Sequence, residues 1–356
     1  MKPGTAHLDP AAQQEFLKQL TSYGDRARET LLGLLPTGEP QAYLYGPMRD
    51  YIETSGKGLR PALVLATCEA FGGDTEEARV SAAVLELLHN AFLIHDDIED
   101  QSDFRRGRAC MHQRLGVPLA INTGDGMQAL ALRLLRQNLG SLGLETGMRV
   151  VDEFDHLLQQ SIEGQALELG WIRDNRLNVG ASDYLRMCLK KTCWYSFIHP
   201  MRIGALIARP QDVASGTLNL DDFNAFGFFL GAAFQIQDDV LNLVGSQDKY
   251  GKEIGGDIYE GKRTLMLGQL GLHADEPEQK RLAELLSNPR ENRSSQDVEW
   301  VLERMDHYGS IRFAQDAAND LLASARQEFA QVFAGTQDAP RAFLAQFMDY
   351  LVTRQV

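Results

Sequence analysis

The sequence predicts an all-α fold, a single domain of about ten or more helices. Three observations carry this expectation. Apolar residues recur at three- and four-residue steps along most of the chain, the spacing of a helix face turned to a core. No stretch alternates apolar and polar residues over a convincing strand length. No internal repeat or low-complexity tract breaks the pattern. The chain has 356 residues, 44% of them hydrophobic, enough for a large core. Residues 1–10 read as a flexible tail and 11–356 as the helical domain.

An amphipathic helix is expected over 11–35, stopping at the Pro36-Thr-Gly-Glu-Pro40 turn. A second, about 41–54, leads into Ser55-Gly-Lys-Gly-Leu-Arg-Pro61. Two glycines free the backbone around Lys57, and Pro61 suits the first turn of the apolar helix that follows. Backbone N–H groups at that helix start, with Lys57 and Arg60, form a candidate anion site; simple solvated loop cations are the alternative.

The chain is centred on residues 86–108, where an apolar helix runs into three aspartates and then a pair of arginines. Asp74 or Thr75 is expected to cap it, and Val80, Ala83, Val84, Leu87, Leu88, Ala91, Ile94 and Ile98 make its apolar stripe. It runs into Asp96, Asp97 and Asp100. Asp96 and Asp100 lie one turn apart on one side, with His89 two turns upstream. Carboxylates this close need raised pKa values or a cation between them, and an all-oxygen set suits Mg²⁺. A solvated acidic helix end is the bland alternative. Adjacent Arg105 and Arg106 follow, able to fork onto phosphate oxygens, with Gly107 permitting a tight turn.

Further helices are expected at 117–138, at 147–169 and at 182–206, the second ending in Gly164-Gln165-Ala-Leu-Glu168. The inner stripe of the third carries Tyr184, Met187, Cys188, Lys191, Thr192 and Tyr195, where a lysine either snorkels or reaches for an anion. The helix 223–245 is apolar nearly all round until Gln235, Asp238, Asp239 and Asn242, which share a face. Burying two unpaired aspartates is costly, so these should meet a cation. The glycine-rich loop beyond can bring Lys252, Lys262 and Arg263 to one anion. It is not a P-loop, because Arg263 stands where Ser or Thr is required and a helix precedes it. From 265 the pattern is helical again, with a polar break at 288–297 and a turn at Tyr308-Gly309.

The formal charge of −14 argues against nucleic acid or an anionic membrane surface as partner. Four cysteines without CxxC spacing fit reduced thiols in a cytoplasmic protein. The N-terminus lacks a signal-peptide core and no run approaches 18 apolar residues, so neither secretion nor a membrane span is expected.

Two acid-rich helix ends, three cationic segments and an apolar interior together describe a receptor for a diphosphate bound through divalent ions. If the diphosphate departs, those charges stabilise it, while apolar walls keep water from the carbocation left behind. In this order the motifs resemble those of the trans-isoprenyl diphosphate synthases, the polyprenyl synthetase family, from about residue 44 to residue 270. The resemblance rests on Asp96-Asp97-Ile-Glu-Asp100 with Arg105-Arg106-Gly107, on Lys191-Thr192, on Phe234-Gln235-Ile-Gln-Asp238-Asp239, and on Gly251-Lys252 through Gly261-Lys262-Arg263-Thr264.

It implies an isoprenoid synthase-like bundle around a central cavity, a homodimer, and Mg²⁺ joining both acidic motifs to an allylic diphosphate. By the same resemblance Asp96, Asp100 and Asp238 are the main metal ligands, supported by Asp97 and Asp239. Arg105, Lys191, Lys252 and Lys262 hold the allylic diphosphate, with Thr192 and Gln235 nearby. Lys57, Arg60, His89 and Arg106 hold isopentenyl diphosphate. The implied reaction is head-to-tail condensation. Ser55, Gly58, Glu168 and Asn242 depart from the family pattern, and Glu168 is given no role. Bulk four and five residues before the first aspartate sets the tunnel floor in such enzymes. Phe92 and Ala91 stand there, roughly 6–8 Å along the axis from Asp96, which points to a product beyond C15, with C20 geranylgeranyl diphosphate the best single choice. Ordinary core packing of Ala91 and Phe92, with Met127 or Leu130 setting the length, is the alternative.

Other functional readings are a class I terpene cyclase, which needs no second diphosphate site, and a non-catalytic regulatory subunit of a heteromeric synthase. A metal phosphohydrolase built on His95-Asp96 would leave Asp238, Asp239 and the lysine loop unexplained.

Overall fold

A computed structural model describes residues 10–54, 56–245 and 255–353. Ser55, Lys252 and the expected tail, apart from Pro10, lie outside the described residues.

The chain is helical almost throughout, as expected. In chain order the helices are α1 (Pro10–Leu34), α2 (Gly46–Glu53), α3 (Leu59–Ala70), α4 (Thr75–Glu99), α5 (Met111–Leu115), α6 (Val117–Leu142), α7 (Leu144–Arg173), α8 (Ala181–Cys188), α9 (His199–Ala208), α10 (Pro210–Ser215), α11 (Asp222–Val244), α12 (Gly256–Glu260), α13 (Leu265–His273), α14 (Glu276–Ser287), α15 (Ser295–His307), α16 (Ser310–Val332) and α17 (Asp338–Thr353). The boundaries follow local chemistry. Asp74, rather than Thr75, caps α4 by accepting from Glu76 N–H at 2.9 Å. Prolines sit in the first turns of α6 and α9, where a missing N–H costs nothing. Gly143, at φ 76°, separates α6 from α7.

Two segments depart from the expected regular helices. Residues 41–54 begin with a π-helical turn, Gln41–Tyr45. The helix expected at 182–206 holds a π-helical run, Leu189–Ile198, between α8 and α9. A two-residue hairpin also pairs Phe104–Arg105 with Arg108–Ala109. Arg106 (φ 54°) and Gly107 (φ 73°) form its turn, with the positive φ at both central residues that tight hairpins need.

Helix α4 packs against α3 and α6, α7 against α6 and the π-helical run, that run against α11, and α3 against α9. The helices thereby enclose a cavity whose walls are α4, α7, the π-helical run and α11. Behind them the core is closed by aromatics, with Phe71, Phe223, Phe226, Phe329 and Phe333 in mutual contact. The four cysteines are buried free thiols. Among the described residues no helix is long and apolar enough to cross a membrane.

Replacing Asp74 by Ala removes the cap from the helix that carries the acidic motif. The expected loss is about 1 kcal/mol, read as a lower denaturant midpoint at unchanged slope; an unchanged midpoint would contradict the capping role.

Candidate active site

The cavity, about 590 Å³, gathers side chains from segments far apart in sequence. Asp96, Arg105, Lys191, Thr192, Gln235, Asp238, Asp239 and Lys262 line it, as do Arg60, His89, Phe92 and Arg106.

The acidic helix ends do not confront one another bare. Asp96 faces Arg105 Nη2 at 3.3 Å and Lys191 Nζ at 3.5 Å. Asp100 accepts from Lys262 Nζ at 2.7 Å, and Lys262 also meets Glu260 at 2.7 Å. Lys191 donates in addition to the buried Glu168. Across the cavity, Asp239 accepts from Tyr184 Oη at 2.6 Å and from Gln235 Nε2 at 2.9 Å, while Gln235 Oε1 accepts from Thr192 at 2.8 Å. Both α11 aspartates border the cavity: Asp239 is buried with neutral donors and Asp238 is half-buried.

Burial pushes Asp100 up to about 7, reinforced by the charge on Asp96, although Lys262 pulls the other way. Asp239 is likewise pushed up to about 7 by burial, with its hydrogen bonds from Tyr184 and Gln235 opposing. Burial disfavours the charged forms of Lys191 and Lys262, but the carboxylates around them win and hold both above the ordinary lysine range. Both are cations at neutral pH.

A second basic group sits beside Phe92. Arg60 donates to Tyr195 Oη at 2.7 Å and to Ser196 Oγ at 3.1 Å, and its Nη1 lies 3.1 Å from His89 Nε2. Burial and then the Arg60, Arg106 and Arg105 charges keep His89 well below the usual histidine range, hence neutral. Arg106 reaches the Thr54 carbonyl at 3.4 Å and passes so close to Gly56 that an added Cβ would lie 3.0 Å from its Nη2. The hairpin and the lysine loop are thus neighbours.

Several expected site residues lie elsewhere. Asp97 is off the cavity wall, 1% exposed, with Oδ1 on Arg105 Nε at 2.5 Å; adjacent helix positions point about 100° apart, and here Asp96 is the one turned to the cavity. Asp100 stands behind Lys262 instead of on the wall. Lys57 is turned to α17, donating to Tyr350 Oη at 2.6 Å. Ala91 is fully buried and, unlike Phe92, does not border the cavity. Asn242 is no open ligand: its Oδ1 accepts from Asp257 N–H at 3.0 Å and its carbonyl from Gly255 N–H at 2.8 Å, anchoring α12. Arg263 does border the cavity, but it is buried and bonded to Asn175 and the Arg176 carbonyl.

The sequence reading missed Glu168, the partner of Lys191, and Gln165, which donates to Glu99 at 2.6 Å. Their three-residue spacing on α7 was the available signal. Tyr184 and Tyr195 were legible as inner-stripe residues but not as the partners of Asp239 and Arg60.

The donor set suits a hard divalent cation. Among the described residues no three acidic, histidine or cysteine side chains converge tightly enough to cage a metal unaided. That is the usual case for Mg²⁺, which takes one or two carboxylates and completes its shell with phosphate oxygens and water. Asp96 and Asp238 offer such oxygens on the wall, with Lys191 and Lys262 beside them.

A sequence profile for polyprenyl synthetase matches residues 41–305. The chain is 32% identical over 343 residues to a short chain isoprenyl diphosphate synthase of Methanothermobacter thermautotrophicus, covering 96% of this chain and 99% of that one. Its fold is similar to the crystal structure of geranylgeranyl pyrophosphate synthetase from Pyrococcus horikoshii, with a TM-score of 0.83 at 28% identity over 96% and 99% of the two chains. It is also similar to the geranylgeranyl pyrophosphate synthase of Corynebacterium glutamicum, solved with isoprenyl diphosphate and magnesium, with a TM-score of 0.76 at 25% identity over 96% and 98%.

In the presence of a chelator, the contribution of Asp100 and Asp239 to stability should fall as pH rises from about 5 to 8, against the opposite contribution of the lowered His89 and His199. Asp100 and Asp239 keep their protons to about 7 in the folded chain but release them near 4 when unfolded, so across that window the folded state binds more protons and raising the pH favours unfolding. The slope of melting temperature against pH is expected to shift in the positive direction in Asp239→Asn. Equal slopes in the two proteins would contradict the assignment.

Proposed function

The chain belongs to the polyprenyl synthetase family of trans-isoprenyl diphosphate synthases, and on that premise we propose that it condenses isopentenyl diphosphate head-to-tail with an allylic diphosphate to give an all-trans product. One observation carries the reading: the acid-bearing ends of α4 and α11 border one cavity, with Lys191 and Lys262 paired to Asp96 and Asp100 of α4, next to a separate basic group of Arg60, His89 and Arg106. A cyclase acting on one diphosphate has no use for that second group.

In this reading Asp96, Asp100 and Asp238 hold Mg²⁺, with Asp97 and Asp239 behind them fixing Arg105 and Gln235. Bound there, Mg²⁺ supplies positive charge to the departing diphosphate. Arg105, Lys191, Lys252 and Lys262 grip the allylic diphosphate, with Thr192 and Gln235 beside them. Arg60, His89 and Arg106 receive isopentenyl diphosphate, and Lys57 joins them by leaving Tyr350. The allylic C–O bond breaks and the positively charged carbon is shielded by Tyr195 and Phe234. The isopentenyl double bond then attacks C1. The departing diphosphate takes the proton released as the new double bond forms, so the step needs no side-chain base.

The product is C20 geranylgeranyl diphosphate, its length limited by Phe92, whose ring meets Tyr195 edge-on at 5.6 Å between centroids. Ala91 takes no part, since it faces the core. The protein works as a homodimer in the cytoplasm. Ile121 and Leu132 on α6, with Leu144 and Met148 on α7, are exposed apolar residues of the kind that pairs with a second copy.

The test is product analysis with purified protein, Mg²⁺, isopentenyl diphosphate and C5, C10 or C15 allylic diphosphates. A C20 alcohol after dephosphorylation is expected, with turnover falling at least about 10²-fold in Asp96→Ala and Asp238→Ala. Hydrocarbon from the allylic substrate alone would instead identify a cyclase, and no reaction with any primer a regulatory subunit. Phe92→Ala is expected to lengthen the product; an unchanged distribution removes Phe92 from the floor.

A further inference from the structure

Lys191, Thr192 and Tyr195 reach the cavity from the π-helical run Leu189–Ile198, which closes with the His199 N–H to Trp194 carbonyl bond. Such runs hold an extra residue per turn, are uncommon, and tend to accompany functional sites. What holds this one lies outside the cavity.

Helix α7 runs alongside and presents Glu153, His156, Gln160, Glu163 and Glu168 toward it. Glu153 binds Arg202 through two contacts of 2.8 Å and His199 Nδ1 at 2.6 Å. His199 Nε2 lies 2.9 Å from His156 Nδ1. Trp194 packs on both imidazoles, with ring centroids 4.6 Å from His156 and 5.0 Å from His199. Further along, Lys190 Nζ donates to Gln160 at 2.9 Å and to Glu163 at 2.5 Å, and the last rung is Lys191 on Glu168. The widened backbone rests on two glycines: a Cβ on Gly164 would lie 2.3 Å from Lys191 N, and one on Gly231 2.8 Å from Cys193 Sγ.

Glu153 (8% exposed) and His199 (1%) are buried, and neither they nor His156, Trp194, Lys190 and Arg202 border the cavity. A buried charged network is weak evidence for stability, and its best-attested use is to specify register. Relaxing a π turn to an α turn rotates everything beyond it by one residue, about 100° about the axis. That slip would carry His199 and Arg202 away from Glu153.

We propose that Glu153, His199, Arg202 and the Lys190–Glu163 rung act as positioning residues, locking the π-helical register that aims Lys191, Thr192 and Tyr195 into the cavity. The proposal rests on the reading of Lys191 as a ligand of the allylic diphosphate. Its test is calorimetric binding of a C10 allylic diphosphate with Mg²⁺, and separately of isopentenyl diphosphate, to Glu153→Gln, Lys190→Met and Lys191→Ala. The half-exposed Lys190 rung keeps the experiment informative if Glu153→Gln does not fold. Both lock variants should weaken allylic binding about tenfold and isopentenyl diphosphate binding by less, since of the second group only Arg60 is held by the run, through Tyr195 and Ser196, and Lys190→Met should add little to Lys191→Ala, as coupled sites do. A lower melting temperature with allylic affinity intact, an equal loss for both ligands, or full additivity with Lys191→Ala would reduce the network to a purely structural role and overturn the lock. Intact allylic binding in Lys191→Ala would overturn the reading of Lys191 and the lock with it.

Discussion

Asp96, Asp100, Glu168, Asp238 and Asp239 are brought to one region from three helices, and their mutual repulsion in a low-dielectric setting is the constraint the remaining structure answers. Arg105, Lys191 and Lys262 each stand against one or two of these acids. The α4 acids also sit in its last turn, where the helix dipole is already negative, so cations are favoured there twice over. The neutralising side chains are long and flexible, and the lysines bind phosphate as readily as carboxylate. The same side chains are therefore suited to exchange partners, the cations for an anion and the carboxylates for a metal ion.

The fold was legible because its signal is long. An apolar stripe of eight residues on α4 survives any local irregularity, and α11 is apolar enough that burial was the sole option for it. The site was legible where charged residues break such a stripe, at Asp96 and Asp238. It was not legible where a function depends on which of two adjacent residues faces inward. Asp96-Asp97 and Ala91-Phe92 each divide between cavity and core according to the absolute rotation of α4, which sequence spacing does not fix. Partners across helices, such as Glu168 with Lys191 or Tyr184 with Asp239, were hidden for a related reason: they depend on the packing of α7 and α8 against their neighbours. The π-helical run was hidden because ten residues are too few for its longer period to separate from an ordinary helical stripe. The departures at Asn242 and Glu168 now have physical readings, the amide as an anchor for α12 and the longer acid as the counter-ion of Lys191.

The two basic groups divide the cavity by chemistry. Lys191 and Lys262 neighbour the acids, whereas Arg60 neighbours His89, Tyr195 and Ser196, with no carboxylate among its hydrogen-bond partners in the described residues. A ligand at the first must bring metal ions to satisfy the carboxylates. A ligand at the second needs only its own negative charge. Phe92 and Tyr195 border the same cavity and meet edge-on, with ring centroids 5.6 Å apart.

The most direct test is calorimetric titration of Mg²⁺ into the protein with and without inorganic diphosphate. A receptor completed by its ligand binds Mg²⁺ weakly alone and at least about tenfold more tightly with diphosphate, and by reciprocity Mg²⁺ tightens diphosphate by the same factor. Equal Mg²⁺ affinity in the two titrations would contradict the account, because the carboxylates would then form a metal site independent of the diphosphate.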